Sequence, residues 1–181
     1  GILGVPGQPY NLLLNRSVDF DPYLAFIRMV YRDGVDIQLV LNYLQQLWDR
    51  AEPGSYTRHI MNDPLPGTPS HQVIIQAAIG DHQVTTLGAH IMARAIGAVA
   101  IAPQTRPIWG IEEVEGPHVG SAIVEFDYGV PEPITNVPPR EGEDPHGAVR
   151  RNPRALAQTL HFFTTDPPEI VHTCEGPCDP E

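Results

Sequence analysis

The sequence contains no lysine. All eleven basic residues are arginine, set against 22 acidic residues, for a net charge of −11. Phosphate recognition requires basic surface, so this balance argues against nucleic acid as a partner, and equally against an anionic membrane surface. A long uninterrupted apolar run is also missing, so no membrane span is expected. The chain opens Gly1-Ile2-Leu3-Gly4, without Met or a basic leader, as a processed chain, a tag remnant or a fragment would. Cysteine is scarce: Cys174 and Cys178 are the two in the chain. The Gly176-Pro177 turn between them can close a small disulfide loop, which favours an oxidising location: secreted, periplasmic or cell-surface. Free thiols, or a thin metal site adding His172 and Asp179, are the alternatives. No internal repeat is visible.

What is present describes one globular unit spanning 1–181. A length of 181 residues can bury a sizeable core. The 20 prolines and 16 glycines punctuate apolar segments, which implies long, shaped loops. A short apolar strand over Gly1–Val5 and a second apolar run over Tyr10–Asn15 come first. Asp21-Pro22 supplies a helix start, with Leu24, Ile27, Val30 and Tyr31 on one face before Asp33-Gly34. Ile37, Val40, Leu41, Leu44, Leu47 and Trp48 then keep helical period from about Val35 to Arg50. These two helices (about 21–50) form a hairpin, either a plain layer on a sheet or a cap over a pocket lined by Phe20, Tyr43 and Trp48. Residues 55–70 read as a loop.

The remaining segments are organised around His71–Val84. Val73, Ile74 and Ile75 are β-branched and a turn follows at Gly80, which predicts a buried strand presenting Asp81 at its tip. A helix follows from about Thr85 to Ala95, with Gly97 as its C-cap. Residues 104–120 are irregular, and Ser121–Gly129 reads as another strand. A proline-stiffened loop then delivers Asp144-Pro145-His146-Gly147. Asn152-Pro153 starts a last helix reaching Phe163, and an acidic Cys-containing tail (about 166–181) ends the chain.

Two strands therefore carry a polar residue toward one end: Asp81 after the first, His146 after the second. A carboxylate that fixes an imidazole's tautomer, so that the imidazole acts as general base, is the logic of nucleophilic hydrolysis. The competing role for Asp81 is to cap the helix that follows it. His118 is a rival for the base, but it precedes the second strand, and His82 is better suited to shaping the Asp81 loop. His82 and His90, eight apart, lack the Glu of a zinc-protease motif, and the other histidines are scattered. Asp19 and Asp21 lack a calcium-loop pattern.

In this order the chain resembles the C-terminal half of an α/β-hydrolase of the esterase/lipase type. Ile79-Gly80-Asp81-His82-Gln83-Val84, the strand at Ala122–Tyr128, and Asp144-Pro145-His146-Gly147 before the last helix carry the resemblance. It implies an α/β fold with a mostly parallel sheet and flanking helices, in which the hairpin is the variable cap. It implies a Ser-His-Asp triad taking its acid from Asp81 and its base from His146, acting on a small ester substrate without a cofactor. The Gly-x-Ser-x-Gly elbow that the family requires is missing: Ser17, Ser55, Ser70 and Ser121 all lack the flanking glycines. The resemblance thus implies an N-terminal hydrolase portion, as a separate or cleaved chain, that carries the nucleophile, and a chain that is inactive alone. A non-catalytic secreted binding or structural module is the alternative. A histidine-dependent metalloenzyme is a third reading.

Overall fold

The computed structural model describes residues 1–179; the last two residues of the acidic tail lie outside the described part. Five strands form one all-parallel sheet: β1 (Ile2–Gly4), β2 (Ile74–Ile79), β3 (Val99–Ile101), β4 (Glu113–Val114) and β5 (Ala122–Asp127), in the spatial order β1-β2-β5-β3-β4. The α/β class expected from the sequence is the class observed.

β2 is buried along its whole length, and its alternating side chains serve two cores. Ile74 and Ala78 join Val124, Phe126, Ala155 and Phe162 on one face; Ile75 and Ala77 join Ala89, Met92, Ala93, Ile96 and Ile123 on the other. A strand covered on both faces needs a continuous apolar run, which explains why the segment reads Ile-Ile-Gln-Ala-Ala-Ile. The one polar member, Gln76, is buried and donates to Ala155 O at 2.9 Å and to Gln158 Oε1 at 3.1 Å. The helices facing these cores are α6 (Pro153–Thr164) and α5 (Thr86–Ile96) respectively. Each begins at a residue whose side chain accepts a backbone N–H, Asn152 for α6 and Thr85 for α5.

The structure adds to or departs from the sequence reading in four places. The apolar run at Tyr10–Asn15 folds as a short helix, α1 (Tyr10–Leu13), followed by a single 3-10 turn. Asn11 and Asn15 face the hairpin there: Asn11 Nδ2 donates to Asn42 Oδ1 at 2.7 Å and Asn15 Nδ2 to Gln38 Oε1 at 2.8 Å. This polar seam gives a run of leucines, which the sequence alone assigns to no element, a helical partner. The hairpin itself is present as α2 (Asp21–Val30) and α3 (Gly34–Trp48). Its own small core is narrower than the periodicity suggested: Leu24, Ile37 and Leu41 are buried, whereas Val30 and Leu47 face solvent. The loop over 55–70 contains one further short helix, α4 (Arg58–Met61). β3 and β4 were not anticipated.

Candidate active site

β2 and β5 are neighbours in register, with Ile79 opposite Asp127, so the chain leaves both strands at the same edge of the sheet. In open α/β sheets the carboxyl ends of the strands are where ligands and chemistry are placed. After β2 the chain turns at Gly80 (φ +77°), where a side chain would meet Val130 O at 2.5 Å. Only glycine fits that approach. Asp81 follows and is fully buried.

The two Asp81 oxygens have separate partners. Oδ1 accepts the backbone N–H of Gln83 and of Val84, both at 2.8 Å. Oδ2 lies 2.9 Å from His146 Nδ1. Asp81 does not cap α5, whose N-cap is Thr85; its Oδ1 instead closes the turn that precedes that helix, while Oδ2 faces the imidazole. An ionised carboxylate can only accept, so His146 donates through Nδ1–H. The neutral ring then carries its lone pair on Nε2. Arg150 Nη2, which can only donate, approaches that nitrogen at 3.3 Å. Burial pushes the Asp81 carboxyl above its ordinary range, and the bond from Val84 N–H and the nearby His146 offset this only in part.

Asp144 holds the two loops together. Its Oδ1 accepts from His82 N at 3.2 Å and His146 N at 3.0 Å, and its Oδ2 from Gln83 Nε2 at 2.7 Å. Burial pushes the Asp144 carboxyl up, but the bonds from Gln83, His146 and His82 outweigh it and hold the group below the ordinary range. His82 shapes the loop as expected, with Nε2 3.2 Å from Glu141 O. Asp144 belongs to the Asp144-Pro145-His146-Gly147 motif, and its clamping role becomes visible in the structure. Its position two residues before His146, with a proline between, is the 3-10 N-cap signal that could have found it.

A second polar cluster lies on the α5 side of β5 and was not anticipated. The Glu125 side chain is 2% exposed and pairs with His90 Nε2 at 2.7 Å and with Arg106 Nε at 2.9 Å. Arg106 also pairs with Glu132. Burial pushes Glu125 up, but His90 and Arg106 outweigh it and keep the carboxyl below the ordinary range. Arg106 is shifted upward despite its burial, by Glu125 and then Glu132. His90, Arg106 and Glu132, together with Thr86 and Arg16, border a polar cleft of about 290 Å³, and Glu125 lies buried behind them.

The structure separates the three residues expected to line a substrate pocket. Phe20 and Trp48 border an apolar cleft of about 400 Å³ with Tyr23, Phe26 and Leu44. Tyr43 is not among its lining residues and is 71% exposed. His118 pairs through its backbone with Ile170, far along the chain from the Asp81 loop. Cys174 and Cys178 form a disulfide, which is compatible with an extracellular protein. Among the described residues, the one group of three possible metal ligands is His172 with these two cysteines. No helix among the described residues is long and apolar enough to cross a membrane.

A parallel sheet flanked by helices, with an acid–imidazole pair at its strand ends, defines the class: an α/β protein with a candidate general-base site. No protein-family model matches the chain, and no curated protein or solved structure matches it either.

Proposed function

We propose that this chain is the C-terminal portion of an α/β-hydrolase of the esterase/lipase type, which supplies the acid and the imidazole of a Ser-His-Asp triad for carboxylic ester hydrolysis. The observation that carries the reading is the 2.9 Å contact between Asp81 Oδ2 and His146 Nδ1, made by loops that leave adjacent parallel strands. The nucleophilic serine comes from an N-terminal hydrolase portion on a separate or cleaved chain, because none of the four serines here sits in an elbow. Nε2 of His146 takes the serine proton as Oγ attacks the ester carbonyl carbon, then returns it to the departing alkoxide. Water repeats the cycle on the acyl-enzyme and releases the acid. Asp81 keeps Nδ1 protonated and stabilises the imidazolium. The serine hydroxyl takes the place that Arg150 holds beside Nε2 in this chain. The cleft between Phe20 and Trp48 suits an apolar acyl or alcohol group.

Two surface features support a partner. β1 has a strand neighbour on one side only, β2. Leu156, Leu160 and Phe163 of α6 are each more than half exposed and fall on one helical stripe. An unpaired parallel edge and an exposed apolar stripe are each stabilised by pairing. The same surface also favours the second reading, a secreted module that binds its partner without catalysis.

The experiment is to isolate the protein from its source with whatever accompanies it and to treat the assembly with a fluorophosphonate. The hydrolase reading expects a second chain labelled on the serine of a Gly-x-Ser-x-Gly elbow, with ester hydrolysis falling about 10⁴-fold in Asp81→Asn. A companion without a reactive serine favours the binding module. Activity close to wild type in Asp81→Asn overturns the assignment of the acid.

A further inference from the structure

We propose that the C-terminal loop is a redox-gated metal site. Oxidised, it is the Cys174–Cys178 disulfide; reduced, it binds one thiophilic divalent ion of the zinc type through His172, Cys174 and Cys178. This inference is independent of the hydrolase reading.

The imidazole is already arranged as a ligand. His172 Nδ1 lies 3.2 Å from Cys174 O, a carbonyl that can only accept, so Nδ1 carries the proton and the lone pair sits on Nε2. That nitrogen points at Cys178 Sγ from 3.6 Å. A disulfide sulfur has no proton to give, so in the oxidised chain the lone pair faces sulfur without a donor. A backbone carbonyl on the distal nitrogen is the usual device that orients a metal-binding histidine. The three candidate ligand atoms lie within 4.8 Å of one another, and imidazole with two thiolates is a donor set suited to zinc.

The loop is also tethered by contacts that do not involve the sulfurs. Cys178 O accepts from Asp127 N at 2.8 Å, at the end of β5. Thr173 Oγ1 donates to Arg154 O at 2.8 Å, and Arg154 pairs with Glu175. Cys178 is buried and Cys174 packs on the same core cluster. Reduction therefore leaves the backbone of both cysteines anchored, and side-chain rotation separates the sulfurs to the roughly 3.7 Å that two thiolates take on one tetrahedral ion. An open cleft of about 400 Å³ beside Cys174 gives an ion a route of entry.

The exchange balances. A dithiol reductant transfers two electrons and two protons to the disulfide, breaking the S–S bond and becoming a disulfide itself. The divalent ion then displaces the two thiol protons and forms two metal–sulfur bonds and one bond to Nε2. Solvent fills the fourth position.

The test compares oxidised chain with chain reduced by a phosphine, which becomes phosphine oxide by taking its oxygen from water and does not compete strongly for the metal. Each form is titrated anaerobically with Co²⁺ and then with Zn²⁺. The expected result is one Co²⁺ per reduced chain with an intense thiolate-to-cobalt band, displaced by one equivalent of Zn²⁺, and neither signal in the oxidised chain. His172→Asn should weaken Zn²⁺ binding by about 100-fold, by analogy with what even outer-sphere partners of a metal contribute. Reduced chain whose thiols are blocked with iodoacetamide should lose the band, and this control needs no variant to fold. Equal binding before and after reduction, an absent thiolate band, or unchanged affinity in His172→Asn would each overturn the proposal.

Discussion

Asp81 and His146, 65 residues apart in sequence, meet at 2.9 Å because β2 and β5 are parallel neighbours whose exit loops leave the same sheet edge. The buried carboxylate spends one oxygen on the turn that begins its own loop and the other on the imidazole. Orientation of the base and local folding of the Asp81 loop are therefore coupled through a single side chain.

That coupling gives Asp81 a pH signature. Burial raises its folded-state pKa above the ordinary value of 3.8. The folded chain thus binds this proton more tightly than the unfolded chain, and wild-type stability falls as pH rises through the window between the two values. Asp81→Asn lacks that slope. Its melting temperature relative to wild type should rise as pH increases from 3.8 through that window, as followed by circular dichroism. Parallel curves for the two proteins would contradict the assignment.

Asp144 shows the opposite sign. Its folded pKa lies below 3.8, so its contribution is present above that value and is lost as pH falls through the lower one. Asp144→Ala removes the acceptor shared by the N–H groups of His82 and His146 and should cost about 1–3 kcal/mol. Urea unfolding gives the cost, and nitrogen NMR of His146 should show the Nδ1–H signal broadened as its loop loosens.

Gly80→Ala should cost about 2–5 kcal/mol, from a left-handed backbone and from overpacking against Val130. The added carbon would lie 2.5 Å from Val130 O and 2.6 Å from Val130 Cβ. A loss under 1 kcal/mol in chemical denaturation would mean that the Val130 segment yields easily.

Arg106→Gln leaves the buried Glu125 with His90 as its remaining side-chain partner. Breaking such a pair costs roughly 3 kcal/mol, and less here because a third of the Arg106 side chain is in solvent. The double variant Arg106→Gln with Glu125→Gln should recover part of the loss, because it removes the charge left uncompensated. A double-mutant cycle from urea midpoints measures this.

Much of the framework was legible in the sequence. β2 and β5 are β-branched runs bounded by turns, and α5, α6 and α3 announce themselves through period and caps. Val99–Ile101 was not legible, because three apolar residues directly after a helix C-cap carry no alternation to distinguish them. Glu113-Val114 is a strand only by virtue of its pairing with Ala100 and Ile101. The leucines at 12–14 have no period of their own. Their helical state follows from Asn11 and Asn15 bonding to α3, a long-range partnership that a local window does not contain. Glu125, His90 and Arg106 were equally silent, since each is an ordinary charged residue until three elements converge on it.

The sequence by itself determined the class of the fold, the acidic and lysine-free surface, and the two positions, Asp81 and His146, at which strands deliver polar groups. These are local properties, set by periodicity, turn chemistry and composition. Tertiary structure alone decided that those two groups touch, that Asp144 locks their loops together, that Tyr43 faces solvent while Phe20 and Trp48 share a cleft, and that His172 aims a lone pair at Cys178. Contacts of that kind depend on strand order and on which side chain is nearest across tens of residues, and backbone preferences within a short window do not encode either.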